Sequence, residues 1–319
     1  MLSGHVHTKT MRFLVTGAHG QDGMYLVTSL KMAGHDVVEV GRNRAKFFRF
    51  GRLVEGDSPK LEDSIASTEF LNSQKPDCIL HFAAVHYPTM LQDGGSNQDR
   101  MFACHVAATQ NLLDWMVDRE NSKMIVALSS QMYSTKDENR VIREDSDHHP
   151  VTFYGKTKSE AHNLIRQYSV KYQINAAGAI FFNHTSIRSK ADFLFPILAK
   201  SISNSIKNGF EDITIRNSNS YLDIGSSDEY CDGVLSMLAE DYLTDYIFSS
   251  GQALKISSIV EDAFLLMGLQ GKMTLLSEST ETRWCLVGDN SKARENLLWR
   301  PQKTASEILV DMIYNFNTR

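Results

Sequence analysis

The 319-residue sequence predicts an α/β protein built on a doubly wound parallel sheet, with a smaller α/β lobe in its C-terminal half. Two observations carry that expectation. Short apolar runs at Met11–Thr16, Asp36–Val40, Cys78–Ala83, Met124–Ser129 and Asn175–Phe182 read as buried parallel strands. Amphipathic stretches at Tyr25–Ala33, Met101–Val117 and Ser159–Tyr172 lie between them, and such strand–helix alternation builds parallel sheets. After Asn183 the alternation loosens into a helix near Phe193–Asn208, a polar segment at Thr214–Ser220 and shorter elements. Residues 11–183 therefore read as a first domain and 184–319 mainly as a second lobe interleaved with it. Residues 1–10 read as a polar leader.

The first strand runs straight into Thr16-Gly17-Ala-His-Gly20-Gln21-Asp22-Gly23. Glycines at this spacing allow a tight turn and a close approach of backbone to a pyrophosphate. The free N–H groups and dipole of the following helix then hold the anion. This is a Rossmann-type dinucleotide loop, so residues 11–183 read as a dinucleotide-binding domain with Gly17, Gly20, Gln21, Asp22 and Gly23 at the cofactor. Without a ligand the same pattern would be a plain strand–turn–helix.

The second strand, Val37-Val38-Glu39-Val40, leads into Gly41-Arg42-Asn43-Arg44. A site for NAD places a carboxylate at this strand end, against the ribose hydroxyls. Glu39 falls too early, inside the strand. Arg42 and Arg44 suit a 2′-phosphate, so NADP is favoured and NAD remains possible. Asp57, at the next strand end, is a candidate acceptor for the adenine amino group. Ala83, closing the Cys78–Ala83 strand, is a further cofactor contact.

Tyr154-Gly-Lys-Thr-Lys158 opens the helix that continues through Ser159–Ile165. Tyr154 and Lys158 lie one turn apart and share a face. An ammonium beside a phenol favours the phenolate and brings its pKa towards the range useful for proton transfer. Ser129 or Ser130, at the carboxyl edge of the Met124–Leu128 run, supplies a hydroxyl for the substrate oxygen. Glycine loop and Tyr/Lys pair, in this order, describe an enzyme moving hydride to or from a nicotinamide. Taken alone, the pair would be a surface tyrosine with a solvated lysine.

Composition excludes several other classes. Apolar content is 42%, charged content 22% and net charge −5, with no basic cluster suited to nucleic acid. Cys78, Cys104, Cys231 and Cys285 are scattered, forming neither a metal-like pair nor a disulfide framework, so no metal is expected. No run is long and apolar enough to span a membrane, and the N-terminus has no signal-peptide core. A reduced, cytoplasmic, soluble protein is expected.

With these residues in view, the chain resembles the extended short-chain dehydrogenase/reductases that modify nucleoside-diphosphate sugars, in the group of GDP-mannose 4,6-dehydratases and GDP-4-keto-6-deoxyhexose reductases. The likeness is carried by Thr16–Leu26, Arg42–Gly51, Phe182-Asn183-His-Thr-Ser186 with Arg188, Gly288–Arg294 and Leu298–Pro301. It implies a nucleotide-sugar substrate, for which His86, Asn183 and Arg188 are candidate contacts. It makes Tyr154 and Lys158 cofactor contacts as well, Lys158 on the nicotinamide ribose. Arg216, where that group has a glycine, is a further basic candidate for the substrate. The resemblance also implies a homodimer or dimer of dimers through a four-helix bundle that includes the Tyr154 helix. Matched to the active-site strand of that group, Ala127–Tyr133 makes Ser129 the substrate hydroxyl. Gln131 then stands where a dehydratase carries Glu. An amide can neither take the C5 proton nor protonate a leaving hydroxyl at neutral pH, whereas redox at C4 needs only Ser129, Tyr154 and the nicotinamide.

The substrate half departs further. Leu222 and Ser279 stand where the resemblance implies diphosphate-binding arginines, and His105 where it implies an asparagine. Three readings follow: a C4 redox enzyme (4-keto reductase or epimerase), a GDP-mannose 4,6-dehydratase-type lyase opposed by Gln131, and a cofactor-binding regulatory protein with lapsed catalysis.

Overall fold

The computed structural model describes residues 10–86, 94–133, 140–215, 217–277 and 281–317. The first half of the chain runs β1 (Arg12–Thr16), α1 (Gln21–Met32), β2 (Asp36–Val40), β3 (Arg44–Arg49), β4 (Arg52–Asp57), α2 (Ser64–Gln74) and β5 (Cys78–His81). It continues through α3 (Gly94–Phe102), a π-helical turn at Ala103–Ala107, α4 (Ala108–Met116), β6 (Lys123–Ser129), β7 (Val141–Ile142), α5 (Phe153–Tyr172) and β8 (Asn175–Phe181). The second half adds β9 (Asn183–Thr185), α6 (Leu194–Lys207), β10 (Ile213–Ile215), β11 (Tyr221–Leu222), β12 (Ile224–Ser226), α7 (Ser227–Met237) and β13 (Tyr246–Phe248). It ends with β14 (Leu254–Lys255), α8 (Ile256–Leu266), β15 (Leu275–Ser277), β16 (Val287–Gly288), α9 (Ser291–Asn296) and α10 (Ala305–Asn317).

The large sheet has the order β13-β8-β6-β5-β1-β2-β3-β4 and is parallel except for the β3–β4 hairpin at one edge. Its central strands are apolar on both faces because both are covered. Leu14, Val38, Ile79, Val126 and Ile180 face one core, with Leu112 of α4 and Ile165 of α5. Phe13, Val15, Val37, Leu80 and Ile125 alternate into the other, with Leu26 of α1 and Val234 of α7. A strand's period of two divides each run between these cores. The expected doubly wound sheet is thus present.

Strand order reverses between β1 and β5. The chain steps outward to β2 from one side of this pair and to β6 from the other. The carboxyl ends at such a switch point leave a crevice where ligands bind. Thr16 and His81 sit there, 2.7 Å apart from Oγ1 to Nδ1.

The C-terminal half contributes to both parts of the molecule. β13 completes the large sheet, while α7 and Trp299 pack into its second core. Phe195 and Ile202 of α6, Val260 of α8 and Leu309 of α10 form a third core, which is the smaller lobe.

The β3–β4 hairpin is not evident from the sequence pattern. It turns through Phe50 (φ 49°) and Gly51 (φ 73°), two consecutive left-handed residues that match a two-residue hairpin turn. The Gln74 side chain of α2 secures it, accepting from Phe48 N and donating to Phe48 O.

Candidate active site

The loop after β1 is shaped by backbone contact. Gly17 has φ +69°, and a Cβ there would lie 2.6 Å from the Phe82 carbonyl oxygen. A Cβ on Gly23 would lie 2.1 Å from the Gly17 carbonyl oxygen, inside any permissible contact. Gly20 is the N-cap of α1 and makes no side-chain cap bond. The first-turn N–H groups of α1 therefore converge on the loop without a side-chain acceptor, an arrangement suited to an anionic diphosphate.

At the end of β2, Glu39 is buried and bonded to Lys31 Nζ at 2.5 Å. Its carboxylate is held inside the sheet edge, and Arg42 follows it, exposed. Arg44 begins β3, directly opposite Asp57 in the hairpin register, with Nη1 3.4 Å from Glu55 Oε1. Ala83 donates its N–H to Thr16 Oγ1 at 3.1 Å, which ties the end of β5 to the end of β1.

Across the crevice, Ser129 ends β6 and Tyr154 and Lys158 lie on α5, as the spacing predicts. Thr152 caps α5 by accepting from Gly155 N at 2.9 Å, and its hydroxyl donates to Gln131 Oε1 at 3.0 Å. Tyr154 is hydrogen-bonded by Ser129 and buried. Lys158 is also buried, donates to the Ala127 carbonyl at 2.8 Å, and lies 5.9 Å from the centre of the Tyr154 ring.

This geometry corrects the expectation that Lys158 lowers the tyrosine pKa. Burial pushes the Tyr154 phenol up, and the Ser129 bond offsets only part of that. Burial also brings Lys158 down to about 8. Helical spacing puts both groups on one face, but it specifies neither their separation nor their desolvation. Tyr154 is thus a buried phenol that keeps its proton and is hydrogen-bonded by Ser129.

Two neighbouring histidines have definite proton positions. His81 offers Nε2 to the Cys104 carbonyl at 3.3 Å, so that nitrogen carries the proton and Nδ1 accepts from Thr16. Burial, reinforced by the Lys158 charge, brings its pKa to about 3. His105 lies in the π-helical turn, a feature frequent at functional sites. Its Nε2 accepts from Val85 N at 3.0 Å, leaving Nδ1–H for Thr157 Oγ1 at 2.8 Å. Burial, then Lys158, keeps this ring neutral as well. His105 meets the Tyr154 ring edge-on at 5.3 Å, and His86 stacks on the same ring at 5.0 Å.

Among the described residues, those expected on the substrate side each have their own partners. Asn183 Nδ2 donates to the Asp223 carbonyl at 3.1 Å, and the guanidinium of Arg188 lies over Tyr25 of α1 at 4.7 Å. Arg216 and Ser279 lie outside the described residues. Leu222 is buried in the core of the smaller lobe, while Tyr221 beside it stacks on Trp284 at 4.6 Å. The Asp223 carboxylate is a structural acceptor, taking bonds from Ser250 N and Oγ and from Gly288 N.

The side chains of Gln21 and Asp22 turn towards β9 and the loop after it. Gln21 Oε1 accepts from the Ser186 and Ser189 hydroxyls, and Asp22 Oδ2 lies 3.1 Å from His184 Nε2. Reading along the sequence misses His184, because its partner is in the glycine loop at the opposite end of the domain.

A dinucleotide loop at the switch point, with Ser129, Tyr154 and Lys158 facing it, defines an NAD(P)-dependent short-chain dehydrogenase/reductase. Comparison with known proteins agrees: the GDP-mannose 4,6 dehydratase family profile matches residues 14–312. The chain belongs to that family.

Among its relatives, the GDP-mannose 4,6 dehydratase of Homo sapiens is 24% identical over 343 residues, covering 94% of this chain and 90% of the human protein. GDP-mannose 4,6 dehydratase 1 of Arabidopsis thaliana is 25% identical over 323 residues, covering 94% and 88%. Among solved structures, RMD from Pseudomonas aeruginosa complexed with NADPH superposes with TM-score 0.75 at 19% identity, over 97% of this chain and 100% of that one. UDP-glucose 4-epimerase of Thermotoga maritima with UDP-glucose gives 0.75 at 16% identity, over 97% and 99%. At these identities the structural likeness is one of fold.

A first expected outcome concerns the loop. Gly23→Ala puts a methyl group against the Gly17 carbonyl, where only backbone can yield. Overpacking of this kind costs about 1–3 kcal/mol. NADPH affinity, read by nicotinamide fluorescence, is expected to fall at least about tenfold. Unchanged affinity would show that this loop does not seat the cofactor.

Proposed function

We propose that the protein catalyses NADP-dependent redox chemistry at C4 of a nucleotide-linked hexose, as a 4-keto reductase or as an epimerase. The observation that supports this most is the intact Ser129–Tyr154–Lys158 group beside an amide, Gln131, in place of a carboxylate. When bound, a nicotinamide donates or accepts hydride at C4. Tyr154 gives the C4 oxygen its proton, Ser129 orients that oxygen, and Lys158 sets a positive field beneath both. His105 and His86 hold the phenol ring on two sides. The relatives' printed names favour a second reading, GDP-mannose dehydration, which Gln131 opposes. We take the cofactor contacts to be the glycine loop with Arg42 and Arg44, and the diphosphate contacts to be Arg188 and Arg216.

The decisive experiment is calorimetry with nucleoside diphosphates and their sugars on the NADP-loaded protein. Binding supports the proposal, and no binding of any of them ends the sugar-nucleotide assignment while leaving the cofactor half intact. Arg42→Ala should weaken NADP by about tenfold or more and leave NAD nearly unchanged, since a charge-assisted bond contributes about 1.5–3 kcal/mol. Equal or tighter binding of NAD by the wild type would overturn the NADP preference. We also propose a cytoplasmic homodimer or dimer of dimers. Exposed Val170 and Tyr172 on α5 support the dimer, and four free cysteines support a reducing compartment. Light scattering tests the oligomer.

A further inference from the structure

We propose that His184 is a resident imidazolium that clasps the cofactor loop to the substrate lobe, neutralising Asp22 so that the loop can accept a diphosphate. Geometry carries this inference. His184 Nδ1 lies 2.9 Å from the Phe182 carbonyl oxygen, and Nε2 lies 3.1 Å from the Asp22 carboxylate. Both partners are pure acceptors, so each ring nitrogen donates and the ring carries two protons. His81 and His105 differ in kind, because each has one nitrogen that accepts.

The position of the pair gives the charge its purpose. Asp22 is in the first turn of α1, where the backbone attracts an anion, and an unpaired carboxylate there would repel the diphosphate. Paired with His184, it adds no net charge to the loop. The same contact joins α1 to β9, as Gln21 does through Ser186 and Ser189. A shift of the substrate strand is thereby felt at the cofactor loop.

The surroundings favour the charged ring. Burial opposes it, but the Asp22 charge and hydrogen bond, with the Phe182 carbonyl, hold His184 above its ordinary value. Asp22 is correspondingly lowered, its own burial outweighed by His184. Among the described residues, the other titratable groups facing the pair are His86 from the loop after β5, Tyr154 of α5, and Tyr230 and Cys231 of α7. Burial, then the Lys158 charge, brings His86 down to about 4, so it adds no positive charge to the pair at neutral pH. A histidine with a raised pKa keeps its bond at low pH and loses it as pH rises through that pKa.

The inference rests on the cofactor reading above, and its test keeps the two separable. NADPH and NADH affinities of wild type, His184→Gln and Asp22→Asn would be measured by nicotinamide fluorescence from about pH 6.5 to about pH 9. NADH serves as control for the 2′-phosphate, which titrates at the lower end. Wild-type affinity for both is expected to fall about tenfold as pH rises, through loss of one bound proton. His184→Gln should bind weakly at low pH with a shallower slope, any remaining slope belonging to Lys158. Asp22→Asn should bind as well as wild type or better at high pH, and it keeps the test valid should the histidine variant fail to fold. A wild-type profile that is flat, or equally steep in both variants, would overturn the clasp. Imidazole carbon NMR on the NADPH-bound protein should show His184 doubly protonated at neutral pH, and a neutral ring would sink the clasp alone. Failure of the wild type to bind NADPH at any pH would sink the cofactor reading and the clasp with it.

Discussion

Tyr154→Phe is expected to lower turnover by about 10²–10⁴-fold while leaving NADPH affinity within about twofold of wild type, because only the acid/base proton is removed. The ring itself has other work to do: it stacks on His86 and meets His105 edge-on, and phenylalanine preserves both contacts. The loss is of the hydroxyl bonded to Ser129. Removing one neutral hydrogen bond costs about 0.5–1.5 kcal/mol, so the fold should survive. Lys158→Ala should harm turnover and cofactor binding together, since the resemblance puts this lysine on the nicotinamide ribose. The buried ammonium also gives the wild type a pH limit. Burial brings Lys158 to about 8, so its charge is present below that value and lost above it, and kcat at saturating NADPH should decline as pH rises through it. Absorbance of NADPH against a 4-keto sugar nucleotide gives the rate, and nicotinamide fluorescence gives the affinity. A Tyr154→Phe enzyme retaining more than a few per cent of activity would show that another group is the proton donor.

The nucleotide half was legible in the sequence because its determinants are local. Gly20 and Gly23 pack against the Gly17 carbonyl a few residues away, Gly17 itself takes a left-handed turn, and Tyr154 and Lys158 specify a helix face through their spacing. What the spacing could not supply was environment. The Tyr154 phenol is pushed up instead of down because burial outweighs the Ser129 hydrogen bond, and burial depends on the packing of β6 against α5. The β3–β4 hairpin was hidden for a different reason. Arg44–Arg49 and Arg52–Asp57 form a half-exposed edge in which charges occupy both faces, so no apolar alternation marks them. His105 and His184 required tertiary contacts. The first is defined by Val85 and Thr157, the second by Asp22, and each partner is remote in sequence. On the substrate side the expected arginine position is filled by buried Leu222, next to a Tyr221–Trp284 stack that contact chemistry alone does not assign to a ligand.

On the proposed reading Gln131 separates redox from elimination, and the expected result is that the wild type forms no 4-keto-6-deoxy sugar from GDP-mannose at a useful rate. Elimination across C5 and C6 needs a base for the C5 proton and an acid for the departing hydroxyl. One carboxyl group serves both roles in turn, whereas an amide serves neither at neutral pH. The structure also restricts the amide. Gln131 Oε1 accepts from Thr152, which caps α5 one turn before Gly155, and Gly155 is tight against the Gln131 carbonyl, where a Cβ would lie 2.1 Å away. Position 131 is therefore fixed relative to Tyr154 by the start of the same helix, and its amide nitrogen is a donor. A donor there can hold a substrate oxygen but cannot remove a carbon-bound proton. Incubation of the NADP-loaded protein with GDP-mannose in deuterated water, followed by mass spectrometry of the sugar, reads the step directly, since elimination and re-addition of hydrogen incorporate solvent deuterium at C5. The wild type should incorporate none beyond background. Gln131→Glu, which restores a carboxyl group at an exposed position, should raise incorporation by about 10² or more, the usual contribution of one positioned acid/base. Rapid deuterium-labelled product from the wild type would refute this argument and make the protein a dehydratase whose base is another carboxylate.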